Sequence, residues 1–370
     1  MDCEYYNNIV QKTLAKNSID INPTYIEIQS INKHKIITKL EEILKIQTNL
    51  IWSKKIIEIR EEANNHKIDK LAEFKLIPKI HKPTLSFRPL VSELQSITKP
   101  LSKFINTILL KLSKEFPWIL TGTDDAIKKI ETEEQFHFKE PIIVSMDIES
   151  MYTNIDVEQA LRFIKIHMHK STNPIFEKEE DKLFIIESLK WIFGNTYFKF
   201  GDRKYQQIKG IVMGTSCAPN FANLTMAFIE KQTIFRSLEK EKIPIQGYKR
   251  LIDDSQMIIP KEYKQKLKNI FDNCNKTLKF TMESTNNNED TLAFLDLNLS
   301  IGSRYYKDSR LEYKNYSKPY AKFVYTDIST HQPEQYTFSW LTGETIRLIK
   351  TSSNQKNFES SFINYIERLL

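Results

Sequence analysis

Apolar positions along the chain follow two periods, and the switches between them divide it. Over residues 37–59, Ile37, Leu40, Leu44 and Ile51 mark one face while Lys and Glu fill much of the other. That spacing predicts a helix, and residues 1–70 as a whole read as mostly helical. At Phe74 the texture changes to FKLIPKIHKPTLSFRPLVS, whose prolines end helices and favour extended chain. A helical period resumes over 96–112 through Ile97, Leu101, Phe104, Ile105 and Ile108. PIIVSMD, residues 141–147, is a short apolar run closing on a carboxylate, the pattern of a buried strand. Asp156 and Gln159 have the spacing of a capping box, and a helix continues through Leu161, Ile164 and Met168. A second helix spans 179–193 and stops at Gly194. TYFKF-GD-RKYQQ and YKRLI-DD-SQMII predict two hairpins, the second with Asp253 and Asp254 in its turn. Between them a helix runs through Phe221, Leu224 and Phe228, and after Pro260 another carries Tyr263, Leu267, Ile270, Phe271 and Cys274. FTMES and LAFLDLNLS predict two short strands, and residues 358–369 a short helix.

That order suggests an antiparallel sheet with helices packed on one face, an α+β layout. Composition changes the picture little. The 370 residues suffice for two or three packed subdomains, and 22 Phe and 16 Tyr argue against a disordered chain. The formal net charge of +7 suits a polyanionic partner and equally suits ordinary solubility. Three scattered cysteines, Cys3, Cys217 and Cys274, offer no disulfide framework or structural zinc and point to a reducing compartment. No apolar run approaches the ~18 residues of a membrane span, and MDCEYYNN lacks the order of a secretory signal. A soluble, intracellular protein with no membrane partner is expected, its compartment (nucleus, mitochondrion or viral factory) and oligomeric state left open.

Chemistry enters with the carboxylates. Asp147 closes a predicted strand, and Asp253-Asp254 sit at a predicted hairpin over a hundred residues later. If the strands are neighbours, three acidic groups converge and repel unless divalent cations neutralise them. Mg²⁺ takes one or two carboxylates together with substrate phosphates, and two such ions would serve phosphoryl transfer. Taken alone, Asp253-Asp254 has a second reading as turn chemistry, since Asp tolerates left-handed backbone.

Context favours the first reading. VSMDIESMYTNI (144–155), KGIVMGTSCAPNFANLTM (209–226), YKRLIDDSQMII (248–259) and LAFLDLNLS (292–300) resemble, in order, reverse-transcriptase motifs A, B, C and E. IPKIHKPTLSFRPLVS (77–92) looks like the fingers signature of Penelope-like retroelement reverse transcriptases, relatives of telomerase, and YKNYSKPYAKFVYTDISTHQP (313–333) is similar to that family's segment after the palm. The resemblance implies a right-hand polymerase: a helical extension over 1–70, fingers over 71–140, an RRM-like antiparallel palm over 141–300, and a post-palm segment with a short helical thumb over 301–370. It implies Asp147 and Asp253 as ligands of two Mg²⁺ ions (Mn²⁺ as a substitute), with Asp254 supporting them.

The same resemblance assigns Tyr152 as the steric gate against a ribose 2′-hydroxyl. Arg88 becomes the contact to the incoming triphosphate, assisted by Lys79 or Lys82; a guanidinium suits bidentate phosphate recognition. Gly210 and Gly214 would let the backbone approach template–primer and nascent base pair, with Met213 where many reverse transcriptases carry Gln. Phe294 and Leu295 match the primer grip. His81 is taken as structural. Leu251-Ile252 departs from the residues usual before the aspartates. Nothing after residue 335 resembles the family's GIY-YIG endonuclease, so integration by self-nicking is not expected. The implied partners are an RNA template, a DNA primer and dNTPs. The expected function is RNA-directed DNA synthesis; the alternatives are an RNA-dependent RNA polymerase and a maturase-like protein with an inactive palm.

Overall fold

Strand pairing, more than helix packing, decides where the acidic residues end up. A computed structural model of the chain describes residues 3–19, 23–66, 71–79, 86–133, 137–286, 290–318, 331, 333 and 339–369. Contacts divide the chain into two interleaved units. Residues 1–70 fall wholly in the first and 301–370 wholly in the second, whereas 71–140 and 141–300 each contribute to both.

The first unit comprises Met1–Pro117, Ser150–Thr233 and Asn275–Leu278. With labels running in chain order through both units, it contains α1 (Cys3–Ile19), β1 (Tyr25–Ile28), α2 (Lys33–Leu44), α3 (Ser53–Asn65), β2 (Ala72–Pro78), β3 (Phe87–Val91) and α4 (Lys99–Ser113). After residue 150 it adds α6 (Met151–Asn154), α7 (Val157–Lys170), α8 (Glu179–Gly194), β5 (Tyr197–Phe200), β6 (Arg203–Gln207) and α9 (Ala218–Ile229). The strands form one sheet in the order β1-β6-β5-β2-β3, antiparallel except for β2 beside β5. Strand β1 lies inside the stretch expected to be helical, and its Tyr25 packs edge-on against Phe74 and Phe198 in that sheet's core. Four residues are too few for a period to declare itself, and tertiary pairing with β6 supplies the strand. The helix expected over 37–59 is two helices. Asn49 caps a short turn by accepting from the Ile51 N–H, and Asp181 accepts from the Thr48 N–H.

The second unit comprises Trp118–Glu149, Ile234–Cys274 and Lys279–Leu370. It contains α5 (Thr123–Thr132), β4 (Pro141–Ile148), α10 (Phe235–Lys240), β7 (Gln246–Leu251), β8 (Asp254–Pro260), α11 (Lys264–Asn273) and β9 (Phe280–Ser284), then β10 (Thr291–Phe294), β11 (Leu297–Ser300), α12 (Ser303–Asp308), β12 (Glu312–Asn315), α13 (Ser339–Lys350) and α14 (Gln355–Leu369). Its main sheet has the order β7-β8-β4-β9 and is antiparallel throughout. β4 is buried along its length except at Asp147, as a continuous apolar run demands of a central strand. LAFLDLNLS, expected as one strand, is the hairpin β10–β11, because Leu295 takes a positive φ of 56° and Phe294 pairs with Leu297. Ile143 of β4 and Ile258 of β8 are cross-strand partners, and both join Leu292, Phe294, Leu297 and Leu299 in one core.

The first unit also holds a histidine whose burial has a measurable consequence. His167 is 7% exposed, with its ring against Phe116 and Phe228 and its Nε2 3.2 Å from the Leu224 carbonyl oxygen. Burial pushes its pKa down to about 4, so the unfolded chain binds a proton that the folded one refuses between roughly pH 6.5 and that value. Stability from this group is therefore full above pH 6.5 and falls as pH drops, by about 2 kcal/mol at pH 5 and about 3 kcal/mol at pH 4. Denaturant melts of wild type and His167→Gln at pH 7 and pH 5 should differ in pH slope by about 2 kcal/mol. Parallel slopes would mean the imidazole charges freely in the fold.

Candidate active site

Two residues apart on a strand means the same face, so β4 presents Ser145 and Asp147 together. The register pairs Asp147 with Asp254 and Ser145 with Gln256 across β8, and Ser145 with Glu283 across β9. The Ser145 hydroxyl donates to Asp254 Oδ1 at 2.9 Å, and the Ile148 N–H donates to the Asp253 carbonyl at 3.1 Å. Burial pushes the Asp254 carboxyl up to about 7. The Ser145 hydrogen bond opposes that shift, and the nearby charges of Asp147, Asp253 and Glu283 add to it. Such a cluster cannot carry its full negative charge alone; it needs a proton or a cation. Its donors are hard carboxylate oxygens. Among the described residues no group of three or more His, Cys, Asp or Glu forms a ready-made metal cage. Mg²⁺ needs none, since it takes one or two carboxylates with substrate phosphates and water, and Asp147 with Asp253 or Asp254 fits that demand.

The turn is not where the sequence suggested. Leu251 pairs with Asp254, so the two-residue loop is Ile252–Asp253 and Asp254 opens β8. Ile252 has φ +56° and Asp253 has no positive φ. A positive φ at the first central position alone is the II′ class, where glycine is preferred. A β-branched residue there is strained by roughly 1–2 kcal/mol. Had the two aspartates been selected for turn chemistry, an aspartate would occupy the left-handed position. An isoleucine does, and Asp253 keeps ordinary backbone at the tip.

In the first unit Tyr152, Gly210, Met213 and Gly214 meet at one loop. Ile211 N–H donates to the Tyr152 carbonyl at 2.8 Å. Gly210, at φ +69°, lies so close to α6 that a Cβ would stand 2.6 Å from Thr153 Cα and from the Tyr152 and Thr153 carbonyl oxygens. The Val91 N–H donates to the Met213 carbonyl at 3.0 Å, and a Cβ on Gly214 would stand 2.1 Å from the Val91 carbonyl oxygen. The 210–214 loop is thus pressed against the half-buried Tyr152 at one end and the end of β3 at the other. Arg88 is an exposed residue of β3, paired in register with Ile77, and Lys79 follows β2, its N–H donating to the Ser86 carbonyl at 2.8 Å.

In the second unit, Phe294 is 1% exposed and packed in the core, whereas Leu295, at the strained hairpin tip, is only partly buried. Lys82, His81 and residues 319–330 lie outside the described residues. Ser145 was legible in principle, being two residues before Asp147 on a strand. Glu93 was not: its carboxylate accepts from the Ser216 N–H at 2.7 Å and from the Ser216 hydroxyl. It thereby holds the segment leading into α9, across more than a hundred residues of sequence.

A scan against protein-family models finds no match, and no curated protein matches the sequence. Solved structures do. Telomerase from Candida albicans, solved in complex with the TWJ fragment of telomeric RNA, superposes with a TM-score of 0.58 at 16% identity, covering 93% of this chain and 55% of that one. The RNA-dependent RNA polymerase of a human picobirnavirus gives 0.58 at 8% identity, covering 98% and 75%. The fold is a polymerase fold. Apo telomerase from Candida tropicalis is similar as well, with a TM-score of 0.51 at 11% identity over 81% of this chain and 53% of that one. The chain therefore spans about half the length of the telomerases it matches. At these identities the polymerase fold is what is shared. No helix among the described residues is long and apolar enough to cross a membrane.

Proposed function

We propose that this chain is a reverse transcriptase, an RNA-directed DNA polymerase of Penelope-like type that extends a DNA primer with dNTPs on an RNA template. The observation that carries the reading is the register that sets Asp147 opposite Asp254, with Asp253 carried at the adjoining turn by a strained isoleucine. In this reading Asp147 and Asp253 hold two Mg²⁺ ions and Asp254 supports them. Once bound, the ions would lower the pKa of the primer 3′-hydroxyl and stabilise the leaving pyrophosphate. The chain itself supplies orientation. Ser145 fixes one oxygen of Asp254 by its hydrogen bond. Arg88, aided by Lys79, binds the triphosphate of the incoming nucleotide. Tyr152 bars a 2′-hydroxyl, and Met213 and Gly214 line the nascent base pair. The first unit serves as fingers, the β7-β8-β4-β9 sheet of the second as palm, and α13–α14 as thumb.

A second reading, RNA-dependent RNA synthesis, is favoured by one observation: the picobirnavirus polymerase shares the fold over 98% of this chain. One assay tests both readings. With Mg²⁺ and a poly(rA)/oligo(dT) duplex, wild type should incorporate dTTP in strong preference to UTP, and Asp147→Ala should incorporate neither. Tyr152→Ala should admit UTP. Incorporation of UTP in preference to dTTP by wild type would establish the second reading. No incorporation by folded protein that binds the duplex would leave a nucleic-acid-binding protein with a silent palm.

A further inference from the structure

The Leu50–Trp52 turn between α2 and α3 displays what the rest of the first unit hides. The helical period groups Ile51 with Leu40 and Leu44 on one apolar face, yet Ile51 is 88% exposed and Leu50 87%, while Leu40 and Leu44 are buried. Single exposed apolar residues are ordinary on a protein surface. Two adjacent ones almost wholly in water forgo the stabilisation that burying either would bring. Nor is the turn loose. Its third residue, Trp52, is buried, with its ring centroid 5.5 Å from that of Phe104 and 5.8 Å from that of Phe184. The Trp52 N–H donates to the Asn49 carbonyl at 3.0 Å and the Ile51 N–H to Asn49 Oδ1 at 3.0 Å. Just before them the Thr48 N–H donates to the buried Asp181 carboxylate at 3.1 Å. Leu50 and Ile51 are therefore held out as a firm apolar point.

We infer that Leu50 and Ile51 form a wedge that enters the base stack of a nucleic-acid duplex and opens it. Aliphatic side chains inserted between base steps unstack them, and two of them on one tight turn suit so narrow a gap. Charge agrees with this partner. Residues 45–55, KIQTNLIWSKK, carry three lysines and no acidic residue. Lys55 is paired with Glu58 at 2.8 Å, while Lys45 and Lys54, one on each side of the turn in sequence, are exposed. Ammonium groups flanking an apolar point match a duplex, whose phosphates lie outside and whose bases stack within. The anchoring serves the same task. A wedge that yielded would be pushed aside by the stack it has to part, and Trp52 passes the load to α4 and α8 through Phe104 and Phe184. An anionic lipid surface presents similar chemistry; the choice of a nucleic acid over it rests on the polymerase reading, in which paired template must be opened before it is copied.

The test compares wild type with the double variant Leu50→Ser, Ile51→Ser, which changes two exposed side chains and leaves the anchors in place. A forked duplex with 2-aminopurine at its junction reads unstacking without any synthesis. Wild type should raise its fluorescence about threefold or more, and the variant should bind the fork yet leave the signal near that of the free duplex. In primer extension the variant should copy a bare template at the wild-type rate and a template covered by a downstream strand about tenfold more slowly. Equal fluorescence with wild type and variant would overturn the inference, whatever the extension rates. Wild-type binding to phosphatidylserine vesicles that the variant loses, with no fork opening, would overturn it in favour of a membrane anchor. A wild-type dimer that the variant loses, again with no fork opening, would overturn it in favour of self-association. Should the double variant not fold, Ile51→Ser alone on the same fork decides by the same fluorescence criterion. Fork opening by wild type and not by the variant, with extension by neither on any template, would uphold the wedge and count against the polymerase reading alone.

Discussion

Replacing Asp253 by Asn is expected to cut primer extension by about a thousandfold or more while template–primer binding survives or tightens. The exchange is nearly isosteric and keeps the backbone carbonyl that accepts from the Ile148 N–H, so the turn should hold. What disappears is one negative charge. Asp253 is among the groups that raise the Asp254 carboxyl, so removing it relieves repulsion, and the melting temperature should stay level or rise. A polyanionic duplex should likewise meet less repulsion. Loss of catalysis beside unchanged or improved stability is the signature of a carboxylate acting on a cation; a merely structural residue would lower both. Filter binding of labelled duplex, thermal melts and single-turnover extension on the same preparation would measure all three. Extension at the wild-type rate would remove Asp253 from the metal-ligating set and undo the reading.

Much of the carboxylate face could be read along the chain. A continuous apolar run ending at Asp147 must be a central strand, and an alternating pair of runs around Asp253 must be a hairpin; both are local patterns. The turn's placement was not legible, because period-2 alternation does not say which two residues leave the ladder, and Ile252 is the last residue that local preference would put at positive φ. β1 was hidden for the opposite reason: its four residues lie among helices and become a strand only by pairing with β6. Glu93 holding Ser216 depends on where chain segments meet in space. Phe294 and Leu295 are local neighbours in sequence, and only the packing of Phe294 beside Ile143 and Ile258 shows which of the two faces the core.

Gly214→Ala should be the most damaging of the small substitutions, and the reason is geometric. Its Cβ would stand 2.1 Å from the Val91 carbonyl oxygen and 3.1 Å from the Val91 carbonyl carbon, at a φ of +116° that side chains rarely adopt. Neither obstacle can yield. Val91 is pinned in β3, paired with Phe74, and its N–H is committed to the Met213 carbonyl. The 213–214 segment must therefore lift from the strand that carries Arg88. Overpacking and strained backbone together should cost about 3 kcal/mol or more, a fall in melting temperature of roughly 6–12 °C. Nucleotide incorporation should fail before global folding does, because the displaced segment carries Met213. Gly201→Ala is the control, for that glycine also has a positive φ, +58°, but meets nothing within 4 Å. It should lose about 1 kcal/mol and keep its activity. If the two variants melt together, the 210–214 loop is free to move away from β3, and the close docking that places Met213 there does not constrain the protein in solution.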